Sequence, residues 1–437
     1  MQDFMALDRN LKLRSLTVFL TVLLGSSIGP NVTVYYVEYF GAFITGFLLI
    51  AVSVAGFIAG LYGGHLADVL GRKKTMLIGS AMIIGGYALA MLMNSPWYTN
   101  PYVTFVGFLT ASVGASFADP AEQAMMIDSS TMKNRKFVFA LIYWIINIGV
   151  MIGAAIGGWF FRDYLFELLM GSMIVGIINA SIINWGMAET LDMANVKANS
   201  SVWSAVKSYA HVLTDKRYLL FMFGTIFAVV IYSQPDFYLA AHLAESFRDY
   251  TLFGVHFYGQ RMLSFMLVIN TVVIVLTMSA FNHMTNRWPL IRGYAIGTFM
   301  QGLGFAMAFL LRDFWPLAFA AVVFTVGEMI NVPSSQTLRA DMMNPEKLGA
   351  YSGAFAATRP LGNIMAGVMV SASHFVGSVG AAVMLMIGVF IAIYSVATAA
   401  KMKASILKTK TPKVILRSFL SFHAYHLFCF YHQRLMS

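Results

Sequence analysis

Gly64-His65-Leu66-Ala67-Asp68-Val69-Leu70-Gly71-Arg72-Lys73-Lys74 lies between two long apolar runs. The stretch puts a carboxylate, a helix-ending glycine and three successive cations into one short turn. A salt-bridge latch between moving helices could form and release there. The flanking runs give the turn its weight, because each is long enough to cross a bilayer, which takes about 20 apolar residues.

Hydrophobic residues make up 59% of the 437 residues and charged residues only 11%. Soluble domains carry roughly 25% charged residues, and the mean hydropathy here is +0.71. The chain therefore reads as an all-α polytopic membrane protein. About twelve spans are expected, at roughly 15–37, 41–66, 75–94, 102–127, 137–160, 164–187, 218–240, 257–280, 293–311, 315–337, 349–373 and 377–400. Helices satisfy their backbone groups internally, as lipid demands.

The net charge of +10 could suggest nucleic acid, but its distribution is topological. With connections numbered alternately, one face receives Arg9, Lys12, Arg14, Arg72, Lys73, Lys74, Lys133, Arg135, Lys136, Lys197, Lys207, Lys216, Arg217, Arg287, Arg292, Arg339, Lys347 and the Lys-rich tail. The other receives Arg162, Arg248 and Arg312. The positive-inside rule makes the first face cytoplasmic, with both termini on it. No nucleic-acid partner is expected. Cys429 is the sole cysteine, so no disulfide can form within a monomer, and the first apolar run is too long for a signal peptide and lacks a small-residue cleavage site.

Six spans are separated from six by a polar segment. The expected organisation is a bundle over about 1–187, a cytoplasmic linker over 188–217, a second bundle over 218–400 and a cytoplasmic tail over 401–437. Within the linker, Val202-Trp203-Ser204-Ala205-Val206-Lys207 suggests a short amphipathic helix on the membrane face. His283, Asn286, Arg287 and Arg292 echo the first-half turn after the eighth span, without its acid. Span five carries Gly149, Gly153 and Gly157 four residues apart, a spacing that permits close backbone approach.

Ionisable groups inside the membrane cost roughly 2.5–3.5 kcal/mol on insertion scales and are functional hypotheses by default. The candidates are Asp119 and Glu122 in span four, Asp236 in span seven, Arg261 in span eight, Glu328 in span ten and Arg359 in span eleven, while Asp68, Asp128 and Glu38 lie near span ends. Asp119-Pro120, Pro235-Asp236 and Arg359-Pro360 place charge beside proline. Proline removes a backbone donor, a defect tolerated at depth beside protein or a water-filled cavity. Asp119 and Glu122 share a helix face, so one of them should hold a proton unless a cation intervenes. Together they could hold a proton or a cationic substrate, or be structural partners of Arg261 or Arg359. Glu328 has no basic residue on its own span, which favours exchange of a proton for an organic cation. Methionine and aromatic side chains allow a plastic, cation-attracting pocket. The nine histidines show no metal-ligand spacing, and neither a P-loop nor a nucleophile-and-base arrangement stands out, so no metal, cofactor or enzymatic activity is expected.

The turn around Asp68 resembles the loop signature between the second and third helices of the major facilitator superfamily. Asn147 to Gly158 resembles a span-five motif of its drug antiporters, with Ala154 where proline is usual. Leu7-Asp8-Arg9-Asn10-Leu11-Lys12-Leu13-Arg14, Val34-Tyr35-Tyr36, Tyr258-Gly259-Gln260-Arg261-Met262-Leu263 and the run from Gln336 to Lys347 resemble proton-driven multidrug exporters of that superfamily in Gram-positive bacteria. This similarity extends to about Lys410. It implies twelve transmembrane helices in two pseudo-symmetric six-helix halves, and export of lipophilic, often cationic, drugs in exchange for protons by alternating access. It also implies a multi-pass monomer in a bacterial cytoplasmic membrane, driven by the proton motive force and surrounded by membrane lipids. Asp68 and Asp128 would then be proton-sensitive switches, with Gly64, Asp68, Gly71 and Arg72 forming the latch, and Asp236 and Glu328 cavity carboxylates for drug and proton. The chain departs at Ile142, where those exporters carry an embedded aspartate. Asp119 and Glu122 are expected to supply the displaced acidity, with Arg261 and Arg359 as intramembrane basic partners. The alternatives are a proton-coupled importer of a sugar or peptide, or a non-transporting membrane sensor.

Overall fold

The computed structural model describes residues 2–131, 134–191, 212, 214–285, 287–344 and 347–433. The first half comprises α1 (Gln2–Met5), α2 (Arg9–Val69), α3 (Arg72–Leu92), α4 (Pro101–Asp128), α5 (Arg135–Phe160) and α6 (Leu165–Ser181), the last ending in a π turn over Ile182–Gly186. The second comprises α7 (Lys216–Tyr232), a 3-10 turn over Gln234–Asp236, α8 (Tyr238–Ser246), α9 (Gly259–Thr285), α10 (Leu290–Leu310), α11 (Phe314–Met342), α12 (Leu348–Ala356) and α13 (Thr358–Gln433). Short hairpins, β1 (Asn94–Ser95) with β2 (Tyr98–Thr99) and β3 (Tyr250–Leu252) with β4 (Val255–Phe257), connect α3 to α4 and α8 to α9.

Local chemistry sets several boundaries. The Asp8 carboxylate accepts the Asn10 N–H at the start of α2, Asn100 accepts those of Tyr102 and Val103 ahead of Pro101, and Asp215 accepts that of Tyr218. Each side chain satisfies a donor that the first helical turn leaves unpaired.

The 61-residue α2 is two antiparallel spans. Gly41 breaks its helical geometry at φ 73° and ψ 162°. Near one end Arg14 reaches Glu122, and near the other Gly64 lies against Pro120. Two points 50 residues apart touch neighbouring turns of α4, whereas a straight helix would separate them by about 75 Å. α13 folds back in the same way at Gly377, φ 64°. Gly362 packs against Val229 while Gly224 packs against Val396, so a long run of α13 returns along α7.

Nine helices among the described residues are long and apolar enough to cross a membrane. Counting the two folded-back helices twice and adding the interrupted seventh span gives the expected twelve. The seventh span is divided between α7 and α8 by the Ser233-Gln234-Pro235-Asp236 turn, and the eleventh between α12 and α13 at Ala357. Pro120 stays within an unbroken α4. The 202–207 segment lies outside the described residues. The helical backbone of α13 continues through the segment expected as a tail, as far as Gln433.

Packing within each half relies on small residues. A Cβ at Gly86 would lie 2.5 Å from the Gly107 carbonyl, and one at Gly297 would lie 2.5 Å from the Asn331 nitrogen. Backbones thus meet directly between α3 and α4 and between α10 and α11, the close approach that small residues allow in lipid.

Candidate functional site

The quoted turn is a charge network at the face carrying most cations. Arg72 Nη1 donates to Asp68 Oδ1 at 2.9 Å and to the Ala67 carbonyl at 2.7 Å, while its Nε donates to Asp128 Oδ2 at 3.2 Å. Glu189, just beyond the sixth span, completes it by accepting the backbone N–H groups of Arg72 and Lys73 at 2.9 and 3.0 Å. Thr190 Oγ1 donates to Asp128 at 3.2 Å. Gly71 takes φ 104°, and a Cβ there would collide with the Glu189 carboxylate, so both backbone and space call for glycine. Partial burial opposes ionisation of Glu189. Hydrogen bonds from Leu191, Arg72, Lys73 and Thr190 outweigh it and hold the carboxyl below its ordinary value. Asp68, Arg72 and Asp128 belong to the first half, and Glu189 and Thr190 to the segment that follows it. Gly64 takes no part in it, lying against Pro120 as a packing residue.

Between the halves lies a cavity of about 1890 Å³ with a mostly apolar lining. It reaches His65 and Asp68 at the basic face, where Ala356 of α12 also lines it. Among the described residues, hydrogen bonds that cross between the halves lie toward the other face. Thr33 Oγ1 donates to the Asp236 carbonyl at 2.5 Å, Ser371 Oγ to the Phe43 carbonyl at 2.8 Å, and the Tyr258 hydroxyl to the Gly158 carbonyl at 3.2 Å. The cavity is therefore open to the basic face and closed opposite it.

Asp119, Glu122, Asp236, Glu328 and Arg359 all line this space. The break in span seven exposes Asp236, whose Oδ1 lies 3.8 Å from where a Cβ on Gly29 would sit. Ser233 Oγ donates to Asn363 Oδ1 at 2.8 Å and ties that break to the eleventh span beside Arg359. Glu328 Oε2 accepts from Asn270 Nδ2 at 2.9 Å. Tyr232 lines the same space as Glu328, Arg359 and Asp236. Interrupted helices presenting charge at a midplane cavity are a recurrent way of building transport sites.

The span-four pair differs from expectation. Arg14 Nη2 donates to Glu122 Oε2 at 2.5 Å, and Arg14 Nη1 to Thr17 at 3.0 Å. A cation, Arg14, therefore stands beside Glu122. Asp119 instead accepts from Gln123 Nε2 at 2.8 Å and faces the cavity. Arg261 partners neither. It sits at the start of α9, its guanidinium 4.7 Å from the Tyr258 ring and 5.4 Å from that of Trp159, with Nη1 donating to the His256 carbonyl at 2.7 Å. Ile142, the departure in span five, packs with Leu7, Leu11, Val18 and Val138 in an apolar cluster.

Sequence reasoning missed Arg14, Glu189 and Asn270 as site residues. Arg14 was counted for topology alone, although it stands well inside a helix. Glu189 is the first acid beyond the sixth span, and Asn270 a lone amide within an apolar run. Asn270 carried a signal in its isolation; none of the three carried its partner's address.

The family model described as Major Facilitator Superfamily matches residues 15–367. A Na(+), Li(+), K(+)/H(+) antiporter of Planococcus maritimus is 28% identical over 385 residues, covering 85% of this chain and 91% of that protein. Multidrug resistance protein MdtH of Photorhabdus laumondii is 21% identical, covering 74% and 76%. Among solved structures, a peptide transporter POT in complex with sulfate aligns with TM-score 0.72 at 14% identity, covering 91% of this chain and 95% of that one. A nucleoside transporter aligns with TM-score 0.69 at 16% identity, covering 90% and 100%.

Proposed function

Because the chain belongs to the major facilitator superfamily and is thus a multi-pass secondary transporter, we propose that it is a proton-coupled antiporter exporting lipophilic organic cations. The supporting observation is the cavity's charge. Asp119, Asp236 and Glu328 line it with no ion pair within 4.0 Å among the described residues, and Arg359 is the cation lining the same space. Carboxylates facing apolar walls attract a cation strongly, and either a cation or a proton relieves the cost of keeping them charged. The cavity is also far larger than an alkali ion requires.

In this reading the basic face is cytoplasmic. The halves are about residues 1–187 and 218–400 joined by 188–217, and the protein works as a monomer in a bacterial cytoplasmic membrane. A cation reaches Asp236 and Glu328 from the cytoplasm or inner leaflet, the halves rock, and external protons displace it. Each charge moved inward gains roughly 2.3 kcal/mol per 100 mV, and each pH unit adds about 1.36 kcal/mol. Asp68 and Asp128 act as switches through Arg72, whose contacts change as the loop moves.

A second reading, exchange of alkali cations for protons, is favoured by the similarity to the Planococcus protein. Inside-out vesicles separate the two. Under organic-cation export, an energised gradient drives uptake of a cationic dye, and Glu328→Gln lowers it more than uptake of a neutral substrate. Under alkali-ion exchange, added Na⁺ or K⁺ dissipates the pH gradient and no dye accumulates.

A further inference from the structure

The residues that close the cavity opposite the basic face form a cluster to which neither the carboxylate site nor the Asp68 network assigns a task. From the first half come Gly158, Trp159 and Arg162 at the end of the fifth span. From the second come Tyr258, Arg261 and Ser264 at the start of the eighth. The Arg162 guanidinium lies 4.8 Å from the Tyr258 ring centre and that of Arg261 4.7 Å from it. Arg261 also lies 5.4 Å from the Trp159 ring, so it touches aromatic rings of both halves. The Tyr258 hydroxyl donates to the Gly158 carbonyl, and a Cβ on Gly158 would collide with Ser264. Phe257 meets Trp159 edge-on at 6.2 Å.

We propose that Tyr258, engaged by Arg162 and Arg261 and hydrogen-bonded to Gly158, is the clasp that holds the two halves shut on this face, and that Arg261 is its positioning residue. Two like charges would not be brought to one small ring without return. The ring face attracts both, and the carbonyls of His256 and Gly158 accept from the cluster. The contacts are numerous but individually modest, and both guanidinium-bearing residues are at least partly exposed. They can therefore be remade in every transport cycle, which a buried carboxylate–arginine pair in the same place would resist. The clasp is also tied to the outer hairpin. The carbonyl that anchors Arg261 belongs to His256, whose ring nitrogen Nε2 lies 3.4 Å from Asp249. The charged or titratable groups around His256 are Asp249, Tyr258 and Arg261.

The inference rests on the orientation proposed above, and the test separates the two. In a Cys429→Ser background, Val32→Cys places a thiol in the cavity on the clasped side, and Ala356→Cys places one at the basic mouth. A membrane-impermeant maleimide applied to intact cells should label Val32→Cys slowly. Adding Tyr258→Leu should raise that rate on the order of tenfold, with smaller increases for Tyr258→Phe and Arg162→Gln. Arg261→Gln should raise it and Arg261→Lys should partly restore it. Arg162 is exposed, so its variant tests the idea even where Tyr258→Leu fails to insert. Rates within twofold of the parent for inserted Tyr258→Phe, Arg162→Gln and Arg261→Gln would overturn the clasp. Labelling of Ala356→Cys from outside would instead overturn the orientation.

Discussion

At the scale of single residues, partners decide roles. Arg14 is 6% exposed and holds Glu122. Glu122→Gln leaves a buried guanidinium without its counter-charge and should destabilise the protein by about 3–5 kcal/mol. The double variant Arg14→Gln with Glu122→Gln should recover most of that loss, because neither charge then remains uncompensated. Thermal unfolding of the detergent-solubilised variants, followed by loss of the monodisperse species, checks both outcomes. Equal losses in single and double variants would mean that the side chains act independently. Glu189 titrates in a definite direction. Its folded value is depressed, so it contributes stability above the ordinary carboxylate value, and that contribution fades as pH falls through the folded value. The unfolding temperature of Glu189→Gln should accordingly lie below that of the parent at neutral pH. The gap should close on acidification below about pH 4.5, the ordinary value. A gap independent of pH would remove the charge from the explanation.

At the scale of elements, two glycines turn long helical runs into pairs of spans. Gly41 and Gly377 occupy the left-handed region, and a Cβ at either would meet nothing within 4 Å. Space is therefore not what they supply; backbone conformation is. Alanine at either position should cost about 1–3 kcal/mol, because positive φ combined with ψ near 180° is a conformation almost confined to glycine. Alanine at Gly46, where a Cβ would clash with Ser371 and Gly367 across the interface of spans two and eleven, should impair transport more than stability. Paired unfolding and uptake measurements on Gly41→Ala, Gly377→Ala and Gly46→Ala would distinguish the two kinds of glycine. The interrupted seventh and eleventh spans are the other element-level device. Proline at 235 and 360 marks both in the sequence, yet Pro120, which like Pro235 has an acidic neighbour, leaves α4 intact. The difference is tertiary: the break in span seven is supported by Thr33 from span one and Asn363 from span eleven.

At the scale of the whole molecule, orientation follows from charge. Single cysteines replacing Trp97, at a hairpin tip and 86% exposed, and Thr190, in the Asp68 network, should label from outside and inside respectively in a background lacking Cys429. Reversed labelling would invert the topology and the direction of transport with it. The membrane class, the twelve spans and the division into two sixes were legible in the sequence because hydropathy, span length and cation asymmetry are sums over many residues, which a neighbour cannot overrule. The Asp68 turn was legible because its contacts to Arg72 are local. Asp236, Glu328 and Arg359 could be nominated because charge inside lipid is costly wherever it falls. What the tertiary structure alone decided is which charges are already spoken for. Arg14 and Glu122 are 108 positions apart, Arg261 meets an aromatic clasp rather than a carboxylate, and Glu189 reaches back to the Asp68 turn. Coulomb attraction depends on separation in space, and separation in space between spans is set by how helices pack, which no local reading of the chain contains.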